Sequence, residues 1–210
     1  AAPAGCRGTG GLGGGGVGKG GLAGGGRLGG GGAVKGMQPD LAEDARARER
    51  CVRGAQAAAQ VEHGRIVRIY HVDEDRGVPY IAMEKLEGTD LDTHLKKEPV
   101  PPLKFTVKVA LQAAQGLAAA HRKGLIHRDV KPSNLWLETI SERGSFRVKI
   151  LDFGLAKGRE GDDLLTHSSE APGTPRYMAP EQWRSADEVD HRSDMFSLGV
   201  VLYQMTTGSF

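Results

Sequence analysis

The sequence predicts an α+β protein, β-rich in its first part and mainly helical in its second. Three observations predict it. "RIVRIYHV" and "VPYIAME" alternate or run apolar with β-branched and aromatic residues, and "DEDRG" between them supplies a turn, so they form a strand pair. "PLKFTVKVALQAAQGLAAAHRKG" carries Leu103, Val107, Ala110, Leu111, Ala114, Leu117 and Ala118 at helical spacing and stops at Gly124, which makes it a long core helix. "SDMFSLGVVLYQMTTG" is apolar nearly all round, as a buried helix is.

The remaining elements follow in order. Residues 1–36 hold 19 of the 32 glycines in the 210-residue chain, and by composition alone they read as a flexible linker. Residues 39–60, rich in Ala, Arg, Glu and Gln and opening with Pro and acids, read as a largely exposed helix. "RVKIL" is a short strand. The 210 residues suffice for one medium domain or two small lobes. With 28 basic and 26 acidic side chains the net charge is +2, which implies no polyanion partner and no nucleic acid. Cys6 and Cys51 are too few for a disulfide framework or a zinc site, so a reducing, cytoplasmic setting is expected. No apolar run reaches the roughly eighteen residues of a membrane span, and the first residues lack the apolar core of a signal peptide.

The chemistry is concentrated after residue 124. In "LIHRDVKPSN" an Asp follows His-Arg, with Lys two and Asn five positions later; "LDFG" puts Asp152 23 positions beyond Asp129; "GTPRYMAPE" and "SDMFSLGV" come next. Taken singly, Asp129 reads as a solvated loop carboxylate, Asn134 as a turn former and Gly154 as a turn glycine. Four motifs in this order and spacing outweigh those readings. The sequence resembles the eukaryotic-type protein kinases, specifically the serine/threonine branch found in bacteria, from Leu12 to Phe210.

The resemblance implies a two-lobed kinase fold: a leader over residues 1–11, a β-rich N-lobe over 12–84 and a helical C-lobe over 85–210. It implies that further helices follow Phe210 and carry an arginine partner for Glu181. Phosphoryl transfer asks mainly for positioning and charge neutralisation. Asp129 would meet the acceptor hydroxyl, Lys131 would place positive charge beside the transferring phosphate, and Asn134 and Asp152 would hold Mg2+, a cation that prefers oxygen. Thr174 would link the peptide-binding loop to Asp129 and Lys131. Asp194 would accept backbone N–H bonds from the catalytic loop, and His127 would support that loop's backbone. Arg128 suggests a pocket for phosphate on the activation segment, with Thr166, Ser168 and Ser169 as sites; trans-autophosphorylation would supply it. Trp136 would lie in the core beneath the adenine, and Trp183 would pack.

The same register answers for the glycines. In kinases of this type a nucleotide-binding loop precedes a phosphate-contacting lysine by 17 positions; "AVK" ends at Lys35 and Gly18 stands 17 positions before it, so the resemblance implies that Gly13, Gly15 and Gly18 are the phosphate-cradling loop. By the same resemblance Ala33, Lys35, Met83, Glu84 and Leu86 would complete the ATP site, Met83 guarding the adenine and the backbone of Glu84 and Leu86 bonding it. Two departures stand out. Glycine replaces many side chains, at roughly 0.5–1 kcal/mol each relative to alanine, so the first three strands are not expected to form a stable sheet. The lysine's usual partner, a helix glutamate, falls at residue 54, which is glycine. The function implied is transfer of the ATP γ-phosphate to Ser or Thr hydroxyls of protein substrates. The alternative is a pseudokinase, a nucleotide-binding scaffold without transfer.

Overall fold

The computed structural model describes residues 21–23, 32–37, 44–140, 145–153, 175–184 and 189–209. Strands β1 (Gly21–Ala23), β2 (Gly32–Gly36), β3 (Ile69–Asp75) and β4 (Val78–Glu84) form an antiparallel sheet in the order β1-β2-β4-β3. The glycines do not prevent it. Gly21, Leu22 and Ala23 pair with Val34, Ala33 and Gly32, because ladder bonds are made by backbone groups that glycine also possesses. The predicted "DEDRG" turn is the two-residue hairpin Arg76-Gly77, with φ of 52° and 78°. Positive φ at both positions matches the right-handed twist of the flanking strands.

Helix α1 (Ala45–Ala59) is capped by Asp44, whose carboxylate accepts from Arg46 N at 2.9 Å. It buries Cys51, Ala55 and Ala58, spaced i, i+4, i+7, while most of its charged side chains stay outside. After β4 come β5 (Gly88–Asp90), α2 (Leu91–Lys97), α3 (Leu103–His121), β6 (Leu135–Thr139), β7 (Phe146–Ile150), α4 (Pro180–Arg184) and α5 (His191–Thr207). Strands β5, β6 and β7 make a second antiparallel sheet in that order. Helix α3 lies against β7 and α5, and the largest apolar cluster gathers Val109, Leu117, Leu135, Val148, Ile150 and Val201. No helix among the described residues is long and apolar enough to cross a membrane.

Three further expectations are corrected. On α3 the buried row is Thr106, Val109, Ala113, Gly116, Leu117 and Ala120, whereas Leu103, Val107 and Leu111 are 72%, 56% and 59% exposed. Alanine occupies so many positions that two apolar stripes fit helical spacing. The stripe with the smaller side chains is the buried one, because β7 and residue 65 approach it closely: a Cβ on Gly116 would stand 2.6 Å from Ile150 Cδ1 and 3.1 Å from Arg65 Cβ. Helix α5 is not buried all round either. Ser193, Asp194, Ser197, Leu198, Val201 and Met205 face inward, and Met195, Phe196 and Tyr203 are about half exposed. Trp183 does not pack inside; it is 54% exposed.

Candidate active site

Helix α3 ends as the sequence predicts, with Gly124 in the left-handed region (φ 71°) and Leu125 N returning to Ala120 O at 3.1 Å. That reversal delivers the segment from His127 to Asn134. His127 is fully buried, its ring 4.7 Å from that of Phe153. Its Nδ1 accepts from Asp129 N at 3.2 Å, so the proton is assigned to Nε2, which donates to Leu151 O at 2.7 Å. The histidine thus ties the loop to the segment bearing Asp152.

Asp194, on the first turn of α5, braces the same loop from the other side. Its carboxylate accepts from His127 N at 2.8 Å and Arg128 N at 2.7 Å. Arg128 adopts φ 64°, a left-handed conformation costly for a residue with a Cβ, and these bonds hold it there. His121, which sequence reasoning missed, adds a third bond, Nε2 to Asp194 Oδ2 at 2.7 Å. Burial by itself would push the Asp194 carboxyl up. The His121 bond, the nearby His127 and the two backbone N–H groups outweigh burial and hold it below the ordinary carboxylate value.

Asp129 is held between two neighbours that the loop folds back onto it. Lys131 Nζ lies 2.8 Å from Asp129 Oδ2. A 3-10 turn, Pro132–Asn134, then brings Asn134 round, so that its Nδ2 donates to Asp129 O at 2.8 Å and to Oδ2 at 3.1 Å. Leu151 N donates to Asn134 O at 2.9 Å, fixing the residue before Asp152 to the same turn. Asp152 has φ 59°, and its Oδ2 receives Lys35 Nζ from β2. The two parts of the chain therefore meet through an ion pair.

Gly54 lies on α1, one turn beyond Cys51. Cys51 is 2% exposed, and burial pushes its thiol pKa up; the charge of Lys35 opposes that rise and the charge of Asp152 adds to it. Where a glutamate would face the lysine, this helix presents a thiol and a glycine, and Lys35 bonds the aspartate.

Of the other expected ATP-site residues, Ala33 pairs with Met83 across β2 and β4, and Leu86 packs on the same small cluster. Trp136 stands on β6, and its indole N–H donates to Glu87 O at 3.3 Å. Glu84 ends β4. Its Oε1 accepts from Arg68 N at 2.7 Å and from Lys149 Nζ at 2.5 Å, a bond the sequence reading did not anticipate. Gln182 was also missed: it donates to Arg128 O at 2.9 Å and accepts from Ala179 N at 3.0 Å, joining α4 to the loop. Glu181 takes the Ser193 hydroxyl at 2.6 Å. Gly13, Gly15, Gly18, Thr166, Ser168, Ser169 and Thr174 lie outside the described residues.

The donors suit a hard dication. Besides the Nδ2 that donates to Asp129, Asn134 carries an amide oxygen, and Asp152 adds a carboxylate at the end of a segment bonded to Asn134. An amide oxygen and a carboxylate beside a lysine match a phosphate-bound Mg2+ better than a thiol-loving metal.

Residues 9–210 match the protein kinase domain family. The chain belongs to the protein kinases. It is 38% identical over 181 residues, 84% of its length, to the serine/threonine-protein kinase PknB of Mycobacterium leprae. It is 37% identical over 179 residues to the serine/threonine-protein kinase pkn3 of Myxococcus xanthus. It spans 28% and 32% of those two proteins. Among solved structures it resembles the kinase domain of Mycobacterium tuberculosis PknI, with a TM-score of 0.77 and 28% identity over 98% of this kinase chain and 75% of that one.

Proposed function

We propose that this chain transfers the γ-phosphate of ATP to Ser or Thr hydroxyls of protein substrates, its β-rich part to residue 84 and its helical part from residue 85 closing on the nucleotide between them. The observation that carries this is the Asp129 carboxylate, held by Lys131 Nζ and Asn134 Nδ2 on a loop that Asp194 and His127 brace.

In this reading Asp129 orients the acceptor hydroxyl and takes its proton as the hydroxyl oxygen bonds to the γ-phosphorus. The bond from that phosphorus to the β–γ bridging oxygen breaks, and ADP leaves. Lys131 offsets negative charge developing on the transferred group. Lys35 steadies the nucleotide phosphates, with the backbone at Gly13, Gly15 and Gly18 cradling them. Ala33, Met83 and Leu86 enclose the adenine above Trp136, and the backbone of Glu84 and Leu86 bonds it. Asn134 and Asp152 would hold Mg2+, which supplies charge neutralisation on the phosphates. Thr174 ties the substrate-binding segment to Asp129 and Lys131. The setting is cytoplasmic, and a second kinase molecule is one phosphoryl acceptor.

The test is transfer of labelled phosphate from ATP with Mg2+ to casein, with Asp129→Asn as control. Transfer is expected to fall about 10²-fold or more, with nucleotide affinity nearly unchanged, since the metal ligands and adenine contacts survive. Undiminished transfer by the variant overturns the assignment. A second reading, a nucleotide-binding scaffold without transfer, is favoured by Gly54 and by the Lys35–Asp152 bond. Nucleotide binding by the wild-type chain with no transfer at all decides for it.

A further inference from the structure

A groove of about 780 Å³ opens where the loop between α1 and β3 crosses α3 beside β7. Its lining includes His63, Arg65, Gln115, Arg122, Ile140 and Arg147, and none of these belongs to the site described above. The groove is built by close approach. Gly116 lets residue 65 lie directly on α3, since a Cβ there would stand 3.1 Å from both Arg65 Cβ and Arg65 O. Ile150 N donates to Arg65 O at 2.8 Å, Ile66 N to His63 O at 3.0 Å and Arg65 N to His63 Nδ1 at 3.3 Å, so the loop is fixed before anything binds.

Its charge is one-sided. Three arginines and a histidine line it, and no described lining residue is acidic. Glu138 balances Arg147, its Oε2 lying 3.4 Å from Arg147 Nε, and Glu62 lies 3.5 Å from Arg68, so the excess positive charge of the lining is that of Arg65 and Arg122. Burial and then the charges of Arg122, Arg65 and Lys149 hold the His63 pKa below its ordinary value, as positive surroundings should. No Phe, Tyr or Trp among the described lining residues offers a broad base-stacking platform, which disfavours nucleic acid. Ile140, half exposed, offers an apolar contact at the rim, and Gln115 an amide for a peptide backbone.

We propose that this groove docks an acidic segment of the protein substrate, with carboxylate side chains bidentate on Arg65 and Arg122 and an apolar side chain against Ile140. That the segment belongs to a substrate rests on the kinase reading; that the groove takes acidic peptide does not.

The test is fluorescence anisotropy of a labelled glutamate-rich peptide with a central leucine, titrated with the full chain, beside a glutamine-for-glutamate control. Binding should need the glutamates, weaken with salt, and weaken about tenfold or more in Arg65→Gln/Arg122→Gln. Arg122 is exposed, so Arg122→Glu alone tests the groove if the double variant melts early. An acceptor carrying the acidic stretch should show a raised KM with unchanged kcat in the same variant. Equal binding of the glutamine control, binding indifferent to both variants, or tighter binding of polyuridine in the groove overturns the proposal. Arginine-dependent peptide binding without any phosphoryl transfer leaves the groove standing and removes the kinase reading; transfer without peptide binding does the reverse.

Discussion

Gly54 stands where the resemblance to the kinases leads one to expect a glutamate, and the surrounding contacts indicate what a side chain there would change. Lys35 bonds Asp152, and Cys51 on the same helix feels the charges of both. Gly54→Glu should raise phosphoryl transfer by giving Lys35 a carboxylate on α1 and releasing Asp152 for metal. Helix propensity adds roughly 0.5–1 kcal/mol of stability in any case, so the informative comparison is in a Lys35→Met background. The gain in transfer should vanish there; an equal gain with and without Lys35 means that the helix and not the pair was repaired.

Asp194 gives a pH dependence at the same scale. Its folded pKa is depressed, so its contribution to stability is fully present above the unfolded carboxylate value of about 4 and is lost as pH falls through the lower folded value. Denaturant midpoints measured across that acid window should fall for the wild type. In Asp194→Asn they should start lower and fall less steeply. A variant as acid-sensitive as the wild type removes Asp194 as the cause.

Between elements, Lys149 on β7 bonds Glu84 at the end of β4. Their side chains are 7% and 19% exposed, and Glu84 also accepts from Arg68 N, so the bond fastens the expected adenine-binding backbone to the strand that leads into Asp152. Breaking a buried pair by removing one partner leaves an uncompensated charge, which costs about 3–5 kcal/mol for fully buried pairs. With Glu84 partly exposed, Lys149→Met should cost about 2–3 kcal/mol in urea unfolding. Glu84→Gln/Lys149→Met together should cost less than the sum of the two single changes. Simple additivity would show that the groups are not coupled.

At the scale of the molecule, a β sheet carrying Lys35 and a helical body carrying Asp129 and Asn134 meet at Asp152. A ligand that bridges them should stabilise the whole chain. With Mg2+ and ATP at about a hundred times Kd, linkage predicts roughly 2.7 kcal/mol of added stability, read as a rise in melting temperature that GTP at equal concentration gives less of. Lys35→Met should remove most of the rise. A melting temperature unmoved by ATP in the wild type counts against nucleotide binding itself.

Local sequence determined a great deal. The Arg76-Gly77 turn, the stop at Gly124, the β3–β4 pair and the long helices α1, α3 and α5 follow from turn chemistry and periodicity, which act over a few residues. The spacing of Asp129, Lys131 and Asn134 is local in the same sense, and the 3-10 turn at Pro132–Asn134 converts it directly into contact. What only the tertiary structure decided are choices among equals and meetings across distance. Helix α3 has two apolar stripes, and close packing at Gly116 selected the smaller one. His121 with Asp194, Lys149 with Glu84 and Gln182 with Arg128 are 73, 65 and 54 positions apart. Nothing in the residues between them encodes the pairing, because a hydrogen bond depends on where two chain segments are held, and that position is set by the packing of the whole core.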